Sequence, residues 1–567
     1  MRKYYTNKTY VFYFILMILA LGSLLVTNLS YDAEYQLAMA YRFVKGDLMI
    51  SQMWEPHQTS AFLCAIIMKL YIGVTGTTTG IVLFTHAVGL LIRFGIGIYF
   101  YKIIGSEKIP GMLICIFYLL ISPKDLLVPE FSNMQIWFST LMFLFLVHYF
   151  QTEKVYLLIL SALSFCLGIF SYPSFIIAYF AIIALLIIYS KNKKRDIPLY
   201  TLVCLCVAAL FIVYLLNQVS WNTIIECLPR ALSIEPSHTV SASSKIGTHL
   251  LNLVKILGVI LLVFTLSLLI HCIYTGIVSV VKHKKFMISL TACIFTSWFI
   301  VMSYWLINII HSKHHGFSSF PFLIIISLGF WKRKLLSDNE KKIYYCGLWA
   351  SIANFLATLL LSDHALIQAI PYTLIAICVS VLPLYRWFLL NKDNLKFKKA
   401  FVCCIHIFLL LIIFRSIYFH VPISGRGQIY SIASDMALIR SGPAIGIITN
   451  EEGAAAQRDS MAEWKQYIKP GDTIWILGVP VDTLGYLYED VNVGAPSVMS
   501  TPTYNESLEY YWEVNPDKYP NVIILSSGFG ELSWDLSVNV WLMDWIENEY
   551  QPDHVIDGNY WRYYFKE

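Results

Sequence analysis

Two acidic side chains, Asp32 and Glu34, stand directly after an apolar run at residues 10–29. A run of about 20 apolar residues can cross a bilayer, so these acids fall at a membrane surface. A carboxylate there can take a proton from a hydroxyl group, the work of a general base. The bland alternative is a helix N-cap or a solvated loop acid, because Asp is common at such boundaries. The surroundings favour chemistry. Tyr35, Leu37, Ala38 and Tyr41 follow as a helical stretch, Gly46 comes fourteen residues after Asp32, and Trp54-Glu55-Pro56-His57-Gln58 makes a turn.

Other candidates lie further along. Glu130 stands just before an apolar run, where its side chain can face a cavity, whereas Asp125 reads as a partner of Lys124. Glu34, Glu55 and His57 flank Asp32 as substrate contacts. An anionic group on a substrate would need cations or polar donors. The sequence offers His86, Arg230 within the 218–247 loop, Lys255 and the cluster His311-Ser312-Lys313-His314-His315. Lys255 lies inside an apolar run, which makes it a functional suspect; the alternative is a lysine that snorkels to the surface. Arg93, deeper in its run, reads as part of a structural ion pair or a water cavity. The histidine cluster lacks metal-site spacing. No cofactor is assigned, and a divalent metal is the one candidate.

These residues need a scaffold. The chain has 567 residues, 57% of them hydrophobic, and a mean hydropathy of +0.62. That composition excludes a soluble globular protein and predicts an α-helical polytopic membrane protein. Apolar helices are expected at about 10–29, 80–101, 110–122, 133–150, 156–171, 174–190, 198–217, 248–276, 287–310, 317–330, 343–361, 366–384 and 400–419, thirteen spans in all. The first reads as a retained helix rather than a cleaved signal. Of the twelve cysteines, nearly all lie in apolar runs, so neither disulfides nor structural zinc are expected.

The segment 61–76 is apolar but short and carries Lys69. If it lies along the surface, the basic loops share one face with the N-terminus: 23 Lys and Arg there against 7 on the opposite loops that connect the spans. The positive-inside rule favours that arrangement. The N-terminus is then cytoplasmic, and residues 30–79 and everything after 420 are extracytoplasmic, in a cell membrane. The basic loops are a topology signal, and no nucleic-acid partner is expected.

The charge changes sign along the chain. Residues 421–567 hold 21 Asp and Glu against 8 Lys and Arg, a net of −13, while the remainder carries +18. Strand-like runs at 444–448, 473–477 and 522–525 alternate with helical patterns at 454–468, 505–514 and 534–550, the order of a small parallel sheet. A closing hairpin over 555–565 would turn at Asp557-Gly558. The chain thus divides into a membrane domain, 1–423, and a soluble extracytoplasmic α/β domain, 424–567. The acidic domain is expected to stand off anionic headgroups, to hold no catalytic residue, and to be removable without loss of donor binding.

The acid after the first span, the Gly fourteen residues on, the turn, the surface helix and the second span together resemble the GT-C class of membrane glycosyltransferases. The nearest in architecture are the protein O-mannosyltransferases and the lipid A aminoarabinose transferases. The class motif is usually Asp-Glu; here Ala33 follows Asp32 and the second acid comes one place later, at Glu34. The resemblance covers roughly residues 8–220. It implies a GT-C-like fold and an inverting transfer of sugar from a polyprenyl-phosphate donor to an extracytoplasmic glycan, lipid or protein. It also implies Asp32 as general base, a second acid at Glu130, and donor-lipid contacts around Arg230. Two alternatives stay open: a glycan polymerase or ligase of the O-antigen type, and a lipid-linked oligosaccharide flippase. The flippase reading is weakened by the lack of related halves.

Overall fold

The computed structural model describes residues 7–104 (except 28 and 30), 108–121, 127–233, 246–251, 253–254, 258, 316–361, 369–419, 436–477, 480–499, 505 and 507–566 except 527–539. Lys255 and the His311 cluster lie outside the described residues, as do Lys124, Asp125 and most of the expected spans 248–276 and 287–310.

The membrane body is helical. Its helices are α1 (Asn7–Val26), α4 (Ile81–Ile104), α5 (Lys108–Leu120), α6 (Phe131–Thr152), α7 (Val155–Ser171), α8 (Ala178–Tyr189), α9 (Lys193–Leu216), α11 (Gly316–Lys332), α12 (Asp338–Leu361), α13 (Leu374–Leu390) and α14 (Leu395–Phe419). Between them lie α2 (Tyr31–Lys45), α3 (Gln58–Thr75) and α10 (Trp221–Ser233). Five described helical segments are long and apolar enough to cross a membrane: 58–75, 81–104, 131–152, 193–216 and 370–390.

Helices α6 and α7 form a tight antiparallel pair, with α9 against α7 and α12 against α6, α8 and α13. The α6–α12 contact is polar. Ser132, Gln135 and Ser139 on α6 share the spacing of Ser351, Asn354 and Thr358 on α12, and all six are buried. Asn354 Nδ2 donates to Ser139 Oγ at 2.7 Å. Such side-chain hydrogen bonds hold helices together where water offers no competing partner. Arg93, expected in a structural ion pair or a water cavity, is buried. Its guanidinium donates to the Tyr118 carbonyl at 2.7 Å and to that of Ile121, closing the C-terminal end of α5.

The C-terminal domain has a five-stranded sheet in the order β4-β3-β5-β7-β6. β3 (Thr473–Leu477) lies parallel to β4 (Asn492–Val493) and β5 (Val522–Ser526), while β7 (Trp561–Phe565) runs antiparallel to β5 and to β6 (His554–Asp557). The closing hairpin is as expected. The strand expected at 444–448 is displaced. β2 (Ile448–Asn450) pairs with β1 (Met436–Leu438) in a separate two-stranded sheet. Gly442 and Gly446 take φ of +72° and +88°, so the chain turns where an apolar run suggested extension. That turn is used: the carbonyls of Gly442 and Pro443 accept from the amides of Gly80 and Val82, both at 3.1 Å. They satisfy N–H groups at the start of α4 that have no partner within their own helix.

Candidate active site

Helix α2 carries the first acid, and its length explains the fourteen-residue spacing. It starts with Asp32 and Glu34 in its first turn and ends at Lys45. Gly46 then takes φ of +98°. Its amide reaches the Phe43 carbonyl at 3.2 Å, and the Asp47 amide reaches that of Arg42 at 2.9 Å. This paired pattern is a glycine C-terminal stop. The spacing is a ruler of four helical turns, about 21 Å from the acid to the glycine.

The stop also places Asp47 beside Arg42 at 2.7 Å, with both side chains buried. Lys518 of the C-terminal domain reaches the other Asp47 oxygen at 2.5 Å. Arg42 donates further to the Pro496 carbonyl at 3.1 Å, to Tyr511 Oη at 3.3 Å and to the Gln52 carbonyl. Burial works against the Arg42 charge, and Asp47 more than restores it. Nothing in the sequence pairs Asp47 with Lys518; only the glycine stop hinted that Asp47 would meet Arg42.

Glu55 belongs to the same seam. Its carboxylate accepts from Tyr35 Oη at 2.7 Å, Ser497 Oγ at 3.0 Å and the Val498 amide at 2.6 Å. Burial pushes its carboxyl above the ordinary carboxylate range, against the pull of these donors and of Arg42. Glu55, expected as a substrate contact, is buried and forms part of a clamp between the first loop and the C-terminal domain. The clamp continues through the Trp54 amide to Pro496 O at 2.8 Å and Asn515 Nδ2 to Ser51 O at 2.9 Å. Residues of α2, α3 and the C-terminal domain share one hydrophobic core. These contacts build the acidic domain into the first loop.

Glu130 is the N-cap of α6, fully buried. It accepts from the amides of Ser132 at 2.9 Å and Asn133 at 2.6 Å. The N-cap reading weighed for Asp32 is thus realised by Glu130. Beside it, the His57 ring stacks on Phe131 with centroids 3.9 Å apart and an angle of 7°. Tyr172 lies 5.9 Å from the same imidazole, and Tyr372 Oη donates to Ser132 Oγ at 2.7 Å. Glu130→Ala is expected to lower stability by about 1 kcal/mol, the typical worth of such a cap. Glu130→Asn should restore most of that, measured as the unfolding midpoint of the full chain.

Asp32 is linked to this group through α2. Gln36, one turn on and on the same helix face, lies with its Oε1 3.1 Å from Ser60 Oγ, which is 2.7 Å from the His57 carbonyl. So Asp32, Gln36, Ser60, His57, Phe131 and Glu130 form a chain of neighbours. Gln36 was not marked by the sequence reading; its helical register with Asp32 was the available signal. Glu34 is buried. His86 is buried in α4 with Nδ1 at 2.9 Å from the Leu25 carbonyl. Arg230 lies in α10. Its guanidinium lies 3.9 Å over the ring of Tyr510 in α16 (Ser507–Val514, after α15, Glu451–Tyr467) and donates to the Glu226 carbonyl at 2.7 Å.

No family model matches the chain, and no curated protein matches it in sequence. Among solved structures it is similar to the archaeal oligosaccharyltransferase AglB from Archaeoglobus fulgidus in complex with an inhibitory peptide and a dolichol-phosphate. There the TM-score is 0.39 at 11% identity, covering 92% of this chain and 70% of that one. It is also similar to the apo form of an Archaeoglobus fulgidus oligosaccharyltransferase, with a TM-score of 0.44 at 10% identity over 91% of this chain and 69% of that one. The likeness is distant, and the chemistry rests on the side chains. Among the described residues no group of three His, Cys, Asp or Glu side chains is arranged to hold a metal ion, so no step is drawn through one.

Proposed function

We propose that the chain is an inverting membrane glycosyltransferase. It moves a sugar from a polyprenyl-phosphate donor to an acceptor hydroxyl at the extracytoplasmic face. Asp32 takes the hydroxyl proton as the acceptor oxygen bonds to the anomeric carbon. The bond from that carbon to the phosphate oxygen breaks on the opposite side, and polyprenyl phosphate leaves. One observation carries the assignment of the base. Of the acids around the first loop, Asp47, Glu55 and Glu130 are taken up by structural partners, and Glu34 is buried. Asp32 alone among these five keeps part of its surface in reach of solvent. A general base must reach its substrate before its pKa matters.

The same reading takes α3 as a surface helix, although it is long and apolar enough to span. An 18-residue helix is about 27 Å long, yet both its ends meet the C-terminal domain. Glu55 binds Ser497 and Val498 just before it, and Thr78 Oγ1 donates to the Leu487 carbonyl at 2.7 Å just after it. A helix crossing the membrane would separate those ends. Ile66, Leu70 and Val74 form an exposed apolar stripe along it, as an interfacial helix requires. With the basic loops on the other face, the first loop and C-terminal domain are extracytoplasmic in this reading.

Mass spectrometry of envelope glycans from a strain lacking the gene tests the function. The expected result is loss of one sugar decoration with the undecorated acceptor retained. Accumulation of a complete lipid-linked glycan on the cytoplasmic face would instead mark a flippase and overturn the reading.

A further inference from the structure

Helix α10 divides its circumference into three. Ile224, Cys227 and Ala231 are buried in the core that joins the first loop to the C-terminal domain. Asn222, Thr223, Glu226 and Arg230 make a polar arc. Trp221, Ile225, Leu228 and Leu232, spaced four, three and four residues apart, make an apolar stripe that is 59%, 54%, 40% and 57% exposed. Residues at that spacing share one helix face.

We propose that this stripe docks on the outer surface of the lipid bilayer, and that α10 fixes the position of the C-terminal domain against it. The occupant follows from continuity. Helix α9 is apolar enough to span and carries exposed Leu205, Ile212, Val213 and Leu216. It ends at Leu216, only four residues before α10 begins with Trp221. The stripe thus starts where a membrane-exposed helix stops, with a tryptophan at the junction, the residue favoured at the bilayer–water boundary. The polar arc points the other way. Glu226 accepts from Tyr510 Oη at 2.6 Å, and Arg230 stacks on the same ring at 3.9 Å. That hydrogen bond pushes the Tyr510 hydroxyl up to about 12. Tyr510 is therefore the point at which the surface helix grips the domain. One acid and one base on this arc give no net charge, so zwitterionic lipid suffices. The inference does not depend on the proposed reaction.

The test uses the full chain in phosphatidylcholine nanodiscs, with single nitroxide labels on a cysteine-depleted background. Labels at Ile225 and Leu232 are expected to be relaxed by oxygen and shielded from a water-soluble nickel chelate. A label at Asn222 should show the reverse. Adding phosphatidylglycerol should leave the pattern unchanged. Shielding of Ile225 and Leu232 from both reagents would mean that protein covers the stripe, either residues 234–315 or a second copy, and would overturn the proposal. Relaxation by the nickel chelate would leave the stripe in water, with the same consequence. Should the cysteine-depleted chain fail to fold, a membrane-soluble diazirine on the unaltered protein gives the same decision: carbene adducts on Trp221 and Leu228 support docking, and their absence overturns it.

Discussion

Asp32→Asn is expected to abolish sugar transfer in a chain that stays folded. The substitution keeps the size and shape of the side chain but replaces the carboxylate with a neutral amide that cannot take up a proton. Asp32 lies in the first turn of α2, partly exposed, while the residues that lock the helix come later: Tyr35 on Glu55, Arg42 on Asp47, Tyr41 on Asp490. Those contacts are all retained in the variant, so the helix should stay locked against the C-terminal domain and the chain should stay folded. A positioned general base contributes on the order of 10²–10⁴ in rate, and transfer should fall by at least the lower figure. The loss should appear in kcat with the KM for the donor lipid nearly unchanged, because the proton moves only as the transition state forms. The measurement is initial transfer rate in nanodiscs, with thermal unfolding of the same sample. Full activity in the folded variant would remove Asp32 from the reaction.

The parts of this argument that were legible in sequence are those written in local periodicity. The expected runs at 80–101 and 133–150 correspond to α4 and α6, because a long apolar segment has no other way to satisfy its backbone in lipid. The 555–565 hairpin follows from its Asp-Gly turn. The strand expected at 444–448 failed for a local reason: two glycines bend that run into a turn that caps α4. The seam failed for a different reason. Asp47 and Lys518 lie 471 residues apart, and no pattern in either segment names the other. Glu55 looked like a substrate contact because an acid beside a Trp-Pro turn is conspicuous; two of its three donors, Ser497 and Val498, come from the C-terminal domain, and no local pattern pairs them with it. The net of −13 over residues 421–567 bears on the distance of the domain from anionic headgroups, a diffuse repulsion that salt screens within about 8–10 Å, and carries no information about short-range pairing at a buried seam.

Asp47→Ala is expected to be among the most damaging single substitutions in the chain. It would leave Arg42 and Lys518 buried without their shared carboxylate, with side chains only 0% and 8% exposed. Breaking a buried ion pair by removing one partner costs about 3–5 kcal/mol. The damage should be local at first. The seam between the first loop and the C-terminal domain should open, making the domain sensitive to limited proteolysis at temperatures where the membrane helices remain folded. Transfer should be lost with it, because α2 carries Asp32 at one end and Arg42 at the other, and a helix released at one end no longer fixes the other. A triple replacement separates stability from positioning. Arg42→Met, Asp47→Leu and Lys518→Met together remove all three charges, and apolar substitution of a buried charge cluster is often neutral or stabilising. Protease resistance should return in that variant. Transfer should stay below the parent level, since the directional contacts of Arg42 to Asp47, Pro496, Tyr511 and Gln52 have been replaced by contacts that hold no fixed angle. If Asp47→Ala keeps both protease resistance and full transfer, the charged seam does not position the first loop. If the triple variant regains full activity, apolar contact alone is enough to hold α2 in place.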